Sequence, residues 1–198
     1  AVLERSTSAR ARRSAEAMLH RQHRLLQAIS RAQAVFIASA RPQAAFDALL
    51  EELMELTRSS FGMVGHVQRQ PDRAPALHVH AMTDIRWDEA ARMQTVRRSQ
   101  DALVFDEPHS VIGAVLASEE PLITGDAATD PRCQTVPPGL PTLRTCLCLP
   151  IHAAQDMVAM VVLANSHHGY AAEDVPFMQP LLNTVGQLEM ARRAQEER

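Results

Sequence analysis

The chain has 198 residues, 46% hydrophobic and 22% charged, the balance of a folded chain with one domain's worth of core, which excludes a disordered polar polypeptide. Its formal net charge of -3 supplies no general attraction to nucleic acid or acidic lipid, and no apolar run reaches the roughly 18 residues of a membrane helix. All 20 basic residues are arginine, so lysine nucleophiles and Schiff bases are excluded.

Residues 9–38 contain neither Gly nor Pro and read as one long helix. Along it Ala11, Ala15, Met18, Gln22, Leu25, Ile29, Ala32 and Phe36 step by four and three, a heptad seam. A helix of about 30 residues runs about 45 Å, longer than a small domain is wide. The seam therefore either packs on its own domain or pairs with a second subunit, and the expectation here is a coiled coil between subunits. Residues 1–24 are assigned to this signalling helix, 25–192 to the domain proper, and 193–198 to the start of a C-terminal linker helix. The sequence starts without Met or an apolar leader and reads as a piece of a longer protein. Its three cysteines, Cys133, Cys146 and Cys148, are an odd and sparse set, as expected of a reducing cytoplasm.

Pro42 suits the first turn of a second helix reaching Ser59, with Ala45, Leu49, Leu53 and Leu56 on a broad apolar face. Strands are expected at Phe61–Gln68 and Ala76–Thr83, joined by a turn at Pro71–Pro75. The second alternates Leu77, Val79 and Ala81 with His78, His80 and Met82. Short helices are expected at Trp87–Arg98 and His109–Ser118, and a short strand at Pro121–Thr124. Residues 127–142 are proline-rich and irregular. Leu143–Ile151 and Met157–Asn165 form a second hairpin; the run Met157–Leu163 is apolar throughout and belongs mid-sheet. A last helix begins near Asp174, with Phe177, Leu181, Thr184, Leu188 and Ala191 again stepping by four and three. The class is α+β: one mostly antiparallel sheet with the terminal helices on one face.

The run Val111-Ile112-Gly113-Ala114-Val115-Leu116-Ala117-Ser118-Glu119-Glu120-Pro121-Leu122-Ile123-Thr124 resembles the helix-to-strand segment of GAF domains, where a small Gly lets the helix approach the sheet. Leu147-Cys148-Leu149-Pro150-Ile151, followed by Met157 to Asn165, is similar to that family's central hairpin. Tyr170-Ala171-Ala172-Glu173-Asp174 resembles its entry to the last helix, and Phe61-Gly62-Met63-Val64-Gly65 its first strand. The resemblance spans about residues 25–192 and is to sensory GAF domains of bacterial histidine kinases and diguanylate cyclases. It implies a five- or six-stranded antiparallel sheet, long terminal helices on one face, and short helices and loops over a small-molecule pocket on the other. Trp87, Phe105, His109, Asp126 and Asp130 would line that pocket, with His109, Asp126 and Asp130 sharing one cavity. A homodimer would form through helices 9–38 and 174–196, burying Leu25, Ile29, Leu181 and Leu188 against their mates and leaving Arg24, Arg31, Glu189 and Arg192 solvated.

The ligand has no signature. Asn165 is followed by Ser166 rather than Lys, and Glu173-Asp174 reverses the acidic pair of cyclic-nucleotide-binding relatives. No Cys lies in 87–118 for bilin attachment, haem would rest on His109 alone, and Arg98-Ser99-Gln100-Asp101 matches only the short R-x-x-D motif of cyclic di-GMP binders. An alternating strand would put Cys146, Cys148 and His152 on one face, with Cys133 entering from the preceding loop, a set adequate for zinc or a thiol switch. The plainer reading makes these cysteines small core residues. Free methionine sulfoxide reductases, the enzymatic GAF domains, also use three cysteines, but with a different spacing. The expectation is a non-enzymatic sensory domain without a recognisable cofactor. The alternatives are a ligand-free dimerisation spacer or a thiol-based sensor or enzyme.

Overall fold

A strand apolar at every position needs cover on both faces, and β6 (Asp156–Ala164) has it: residues 157–164 are all buried. The computed structural model describes residues 2–38, 42–83, 103–137 and 140–196. Within them β6 lies between β1 (Phe61–Gln70) and β5 (Cys146–Ala153). The remaining strands are β2 (Arg73–Met82), β3 (Val104–Phe105) and β4 (Leu122–Thr124). They form one six-stranded sheet in the order β3-β2-β1-β6-β5-β4, every neighbouring pair antiparallel. The helices are α1 (Val2–Ala38), α2 (Pro42–Thr57), α3 (Val111–Ser118) and α4 (Asp174–Glu196). The fold is α+β.

Both hairpins form where the sequence puts them. Gln70 pairs with Arg73, so the first turn is only Pro71-Asp72, and Pro75 falls inside β2. The second closes on Ala154-Gln155, with Ala154 in the left-handed region at φ 56°. β5 starts three residues later than expected, at Cys146, and the expected helix at Trp87–Arg98 lies outside the described residues. β3 has two residues, too few for any periodicity to reveal.

The strand period of two sorts the core into two layers. On one face Leu147, Leu149, Val161 and Leu163 pack with Leu49 and Leu53 of α2, Leu181 and Leu188 of α4, and Leu25 and Ala28 of α1. On the other Met63, Cys146, Cys148, Met160 and Val162 pack beneath Ile112 and Val115 of α3 and Leu143 of the irregular segment.

This arrangement corrects the expected dimer core. Leu25 is 8% exposed, Leu181 0% and Leu188 5%; Ile29 is half-buried against the same cluster. These residues are covered by their own chain because α2 joins α1 and α4 in a three-helix layer, a covering that a two-helix picture omits. Glu189, expected in solvent, is fully buried. Among the described residues, the large apolar side chains left exposed on α1 are Met18, Leu19 and Leu26, each at 65%, and Met190 is exposed on α4.

Gly113 permits a close approach, and the neighbour is the preceding loop rather than the sheet. A Cβ there would lie 2.2 Å from the Glu107 carbonyl oxygen and 2.6 Å from the Pro108 carbonyl. Backbone cannot yield as a flexible side chain does, so Gly113→Ala should cost about 1–3 kcal/mol, read from urea unfolding, although Ala is the better helix former. An unchanged midpoint would show that the Glu107–Pro108 loop shifts freely.

Candidate functional site

Of the expected ligand-facing residues, the described ones lie on β3, on the approach to α3 and in the irregular segment. Phe105 is buried at the sheet edge, its backbone paired to Leu77. Ser110, not His109, caps α3: its hydroxyl accepts from Gly113 N at 3.1 Å and donates to the Glu107 carbonyl at 2.8 Å. His109 is exposed, and its carbonyl accepts from Thr135 N at 3.0 Å. Asp126 is exposed as well, and its carboxylate accepts from Ala128 N at 3.1 Å and Thr129 Oγ1 at 3.1 Å. Asp130 belongs to the same turn, its N–H donating to the Asp126 carbonyl at 3.2 Å. The structure thus joins Asp126 and Asp130 in one turn, with His109 on a separate stretch. Trp87 and Arg98–Asp101 lie outside the described residues.

Asp130 is occupied by its neighbour. Arg132 donates from Nε to Oδ1 at 2.9 Å and from Nη2 to Oδ2 at 2.7 Å, and Arg132 Nη2 also reaches the Ile123 carbonyl at 2.9 Å. The Arg132 side-chain hydrogen bonds hold the Asp130 carboxyl well below the usual carboxylate range. A carboxylate whose pKa is depressed by folding stabilises the native state above its unfolded value of about 4, and that contribution fades as pH falls through and below it. Asp130→Asn should therefore unfold more easily than the unmodified chain at pH 7, the difference narrowing below about pH 4. Urea titrations at both pH values check this; a difference that persists in acid would assign the loss to packing.

The cysteine set divides. Cys133, Cys146 and Cys148 are all buried in the α3-side layer as free thiols. Burial raises all three, Cys146 to about 12 and Cys148 well above the ordinary value, so they are protonated at neutral pH. His152 does not join them. A register shift between Ile151 and His152 follows Pro150, and the exposed imidazole sits 3.5 Å from Glu119 Oε2.

A different cluster forms on the helix-covered face, and the sequence reading passed over it. His66 pairs with His78 across β1 and β2, and a bulge after Val64 brings His80 to the same side. His66 Nδ1 lies 3.2 Å from His80 Nε2, which lies 2.9 Å from Glu189 Oε2. The His66 ring stacks on His78 at 4.9 Å, and His80 stacks on Phe46 of α2 at 4.3 Å. Burial, with the nearby His80, Arg192 and His78, lowers His66 to about 3 against an opposing pull from Glu189, so it is neutral. The hairpin register could have paired His66 with His78; Glu189, more than 100 residues on, carries no such signal.

An open groove of about 370 Å³ lies elsewhere, where α1, the end of α2 and the start of α4 meet. Its lining includes Arg58, which donates to His168 Nε2 at 3.1 Å, and Tyr170, whose hydroxyl lies 2.7 Å from Ser59 Oγ. No helix among the described residues is long and apolar enough to cross a membrane.

The family model described as GAF domain matches residues 39–188. The GAF domain of a phosphoenolpyruvate-protein phosphotransferase from Coxiella burnetii is similar at a TM-score of 0.66 and 17% identity, covering 89% of this chain and 98% of that one. A free methionine-R-sulfoxide reductase from Neisseria meningitidis, solved with its substrate, gives 0.62 at 12% identity over 86% and 91%. The GAF domain of a putative sensor histidine kinase from Pseudomonas syringae pv. tomato gives 0.54 at 16% over 94% and 96%. No curated protein matches the sequence. At such identities the structures attest the fold alone, whereas the sequence match runs from before α2 to the last turns of α4, so the chain belongs to the GAF domain family.

Proposed function

We propose that this chain is a regulatory GAF domain that takes a small ligand on the α3 side of its sheet and relays occupancy through its terminal helices to an effector domain. The observation that carries this reading is the contact between the two terminal helices. α1 and α4 lie on the same face and in contact, Arg21 of α1 pairing with Asp174 at the start of α4 and stacking on Phe177 at 3.9 Å. A shift of the sheet against that layer moves both terminal helices together. Occupancy then acts as a population shift between two packings of α4. Phe105, His109, Asp126 and Asp130, with Trp87, remain the residues through which the ligand would be held. Asp130 would act through its pair with Arg132 rather than as a bare carboxylate.

The output form is a two-fold homodimer through α1. Leu19 and Leu26 are one heptad apart and both exposed, so a second copy of α1 would cover them in a parallel pair. Other domains of bacterial signalling proteins, histidine kinases and diguanylate cyclases among them, are the proposed effectors, and the cytoplasm the proposed compartment.

The domain itself is proposed to be non-enzymatic. A thiol must ionise to attack, and the buried, raised thiols Cys133, Cys146 and Cys148 disfavour the activity that names the Neisseria protein. A ligand-free spacer is the second reading, favoured by the many side chains that fill the α3-side layer among the described residues. Native mass spectrometry of the freshly purified chain decides between them. A dimer carrying a non-covalent small-molecule adduct is expected. A bare dimer would establish the spacer, and a monomer without adduct would overturn the relay.

A further inference from the structure

The geometry points to a site for a first-row transition-metal ion, of which zinc(II) is the type, between the β1–β2 hairpin and α4, with His66, His80 and Glu189 as ligands. Their donor atoms all lie within 4.8 Å of one another. The separations, 3.2 Å between the imidazole nitrogens and 2.9 Å from His80 Nε2 to Glu189 Oε2, approach the edge of a tetrahedron built on bonds of about 2.0–2.1 Å. Hydrogen-bond accounting leads to the same place. If His80 Nε2 carries a proton, it donates to Glu189 Oε2, and His66 Nδ1 has only a share of that proton. If His66 Nδ1 carries it instead, His80 Nε2 turns a lone pair toward the carboxylate. One proton serves two contacts poorly, whereas one cation accepts all three lone pairs together. Two imidazoles and a carboxylate select zinc, copper, nickel or cobalt over magnesium and calcium, which favour all-oxygen sites.

The surroundings fit a moderate affinity. Phe46 stacked on His80, and His78 stacked on His66, fix both rings. Arg192 donates to both carboxylate oxygens of Glu189, and Arg193 donates to Oε1. Their positive charge weakens a nearby cation, so the dissociation constant should be micromolar rather than nanomolar. Each guanidinium has a further anchor: Arg192 on Glu196, and Arg193 on the Val67 and Val158 carbonyls. The bound ion would cross-link β1, β2 and α4.

The test is calorimetric titration of the chelator-treated full chain with zinc(II), with cobalt(II) absorption reporting coordination. One equivalent of micromolar zinc is expected, with a rise in melting temperature by mass action. Binding should weaken at least about tenfold in His66→Gln and in His66→Phe, whose folding is verified by circular dichroism and either of which suffices. It should be unchanged in His20→Ala/His23→Ala, which removes an exposed i,i+3 pair on α1 able to chelate adventitiously. Absence of saturable binding overturns the site. So does binding that survives both His66 variants, or that disappears with His20 and His23.

Discussion

Leu188→Asp is expected to unfold the domain rather than divide a dimer. Leu188 is 5% exposed and lies in the same cluster as Leu25, Leu147 and Leu181. The substitution removes a buried side chain worth roughly 2–3 kcal/mol and puts a carboxyl in its place with Arg192 and Arg193 already engaged by Glu189. A loss above about 4 kcal/mol is expected, against a total of about 5–15 for a domain of this kind. Leu26→Asp one face away on α1 is the counterpart. Leu26 is 65% exposed, so the folded monomer should change by less than about 0.5 kcal/mol, while any association through α1 is lost. Urea unfolding and sedimentation of the two variants separate the roles. A folded monomeric Leu188→Asp would mean that α4 does not need its own sheet, contrary to the packing.

The contrast shows where sequence patterning succeeds. The run Met157–Leu163 announces a central strand because only cover on both faces tolerates apolar side chains at every position, and β6 is that strand. The hairpins and the one-sided helices follow from equally local signals. The seams of α1 and α4 were legible as apolar stripes, but a stripe does not say which surface covers it. Their partners are α2 and the sheet of the same chain, which only the assembled fold supplies. Position within a strand was equally ambiguous at His152: alternation puts it with Cys146 and Cys148, and the register shift beyond Ile151 separates them. The cluster of His66, His80 and Glu189 needs both a bulge and a contact between residues 109 apart in sequence. Neither leaves a trace in composition or period.

Glu189→Ala in metal-free protein is expected to cost about 3–5 kcal/mol, the penalty of removing one partner from a buried ion pair. The carboxylate is fully buried and receives hydrogen bonds from Arg192 Nε and Nη2, both at 2.9 Å, Arg193 Nε at 2.7 Å and His80 Nε2 at 2.9 Å. Burial pushes its pKa up, and the bonds from His80, Arg192 and Arg193 more than reverse that, leaving the group below the usual range and ionised. Alanine leaves the Arg192 side chain, only 15% exposed, facing a void, whereas Arg193 is 35% exposed and can partly re-solvate. The change should lower the melting temperature by roughly 10 °C at about 2–4 °C per kcal/mol. Glu189→Gln keeps the shape and two acceptor lone pairs but not the charge, and should cost less, about 1–3 kcal/mol. A loss below about 1 kcal/mol in Glu189→Ala would show that both guanidiniums escape to water as the end of the helix frays. The larger loss locates a clamp: Arg193 Nη2 bonds the Val67 and Val158 carbonyls at 3.1 Å each, so Glu189 holds the guanidinium that ties α4 to β1 and β6 in the last two turns of the helix.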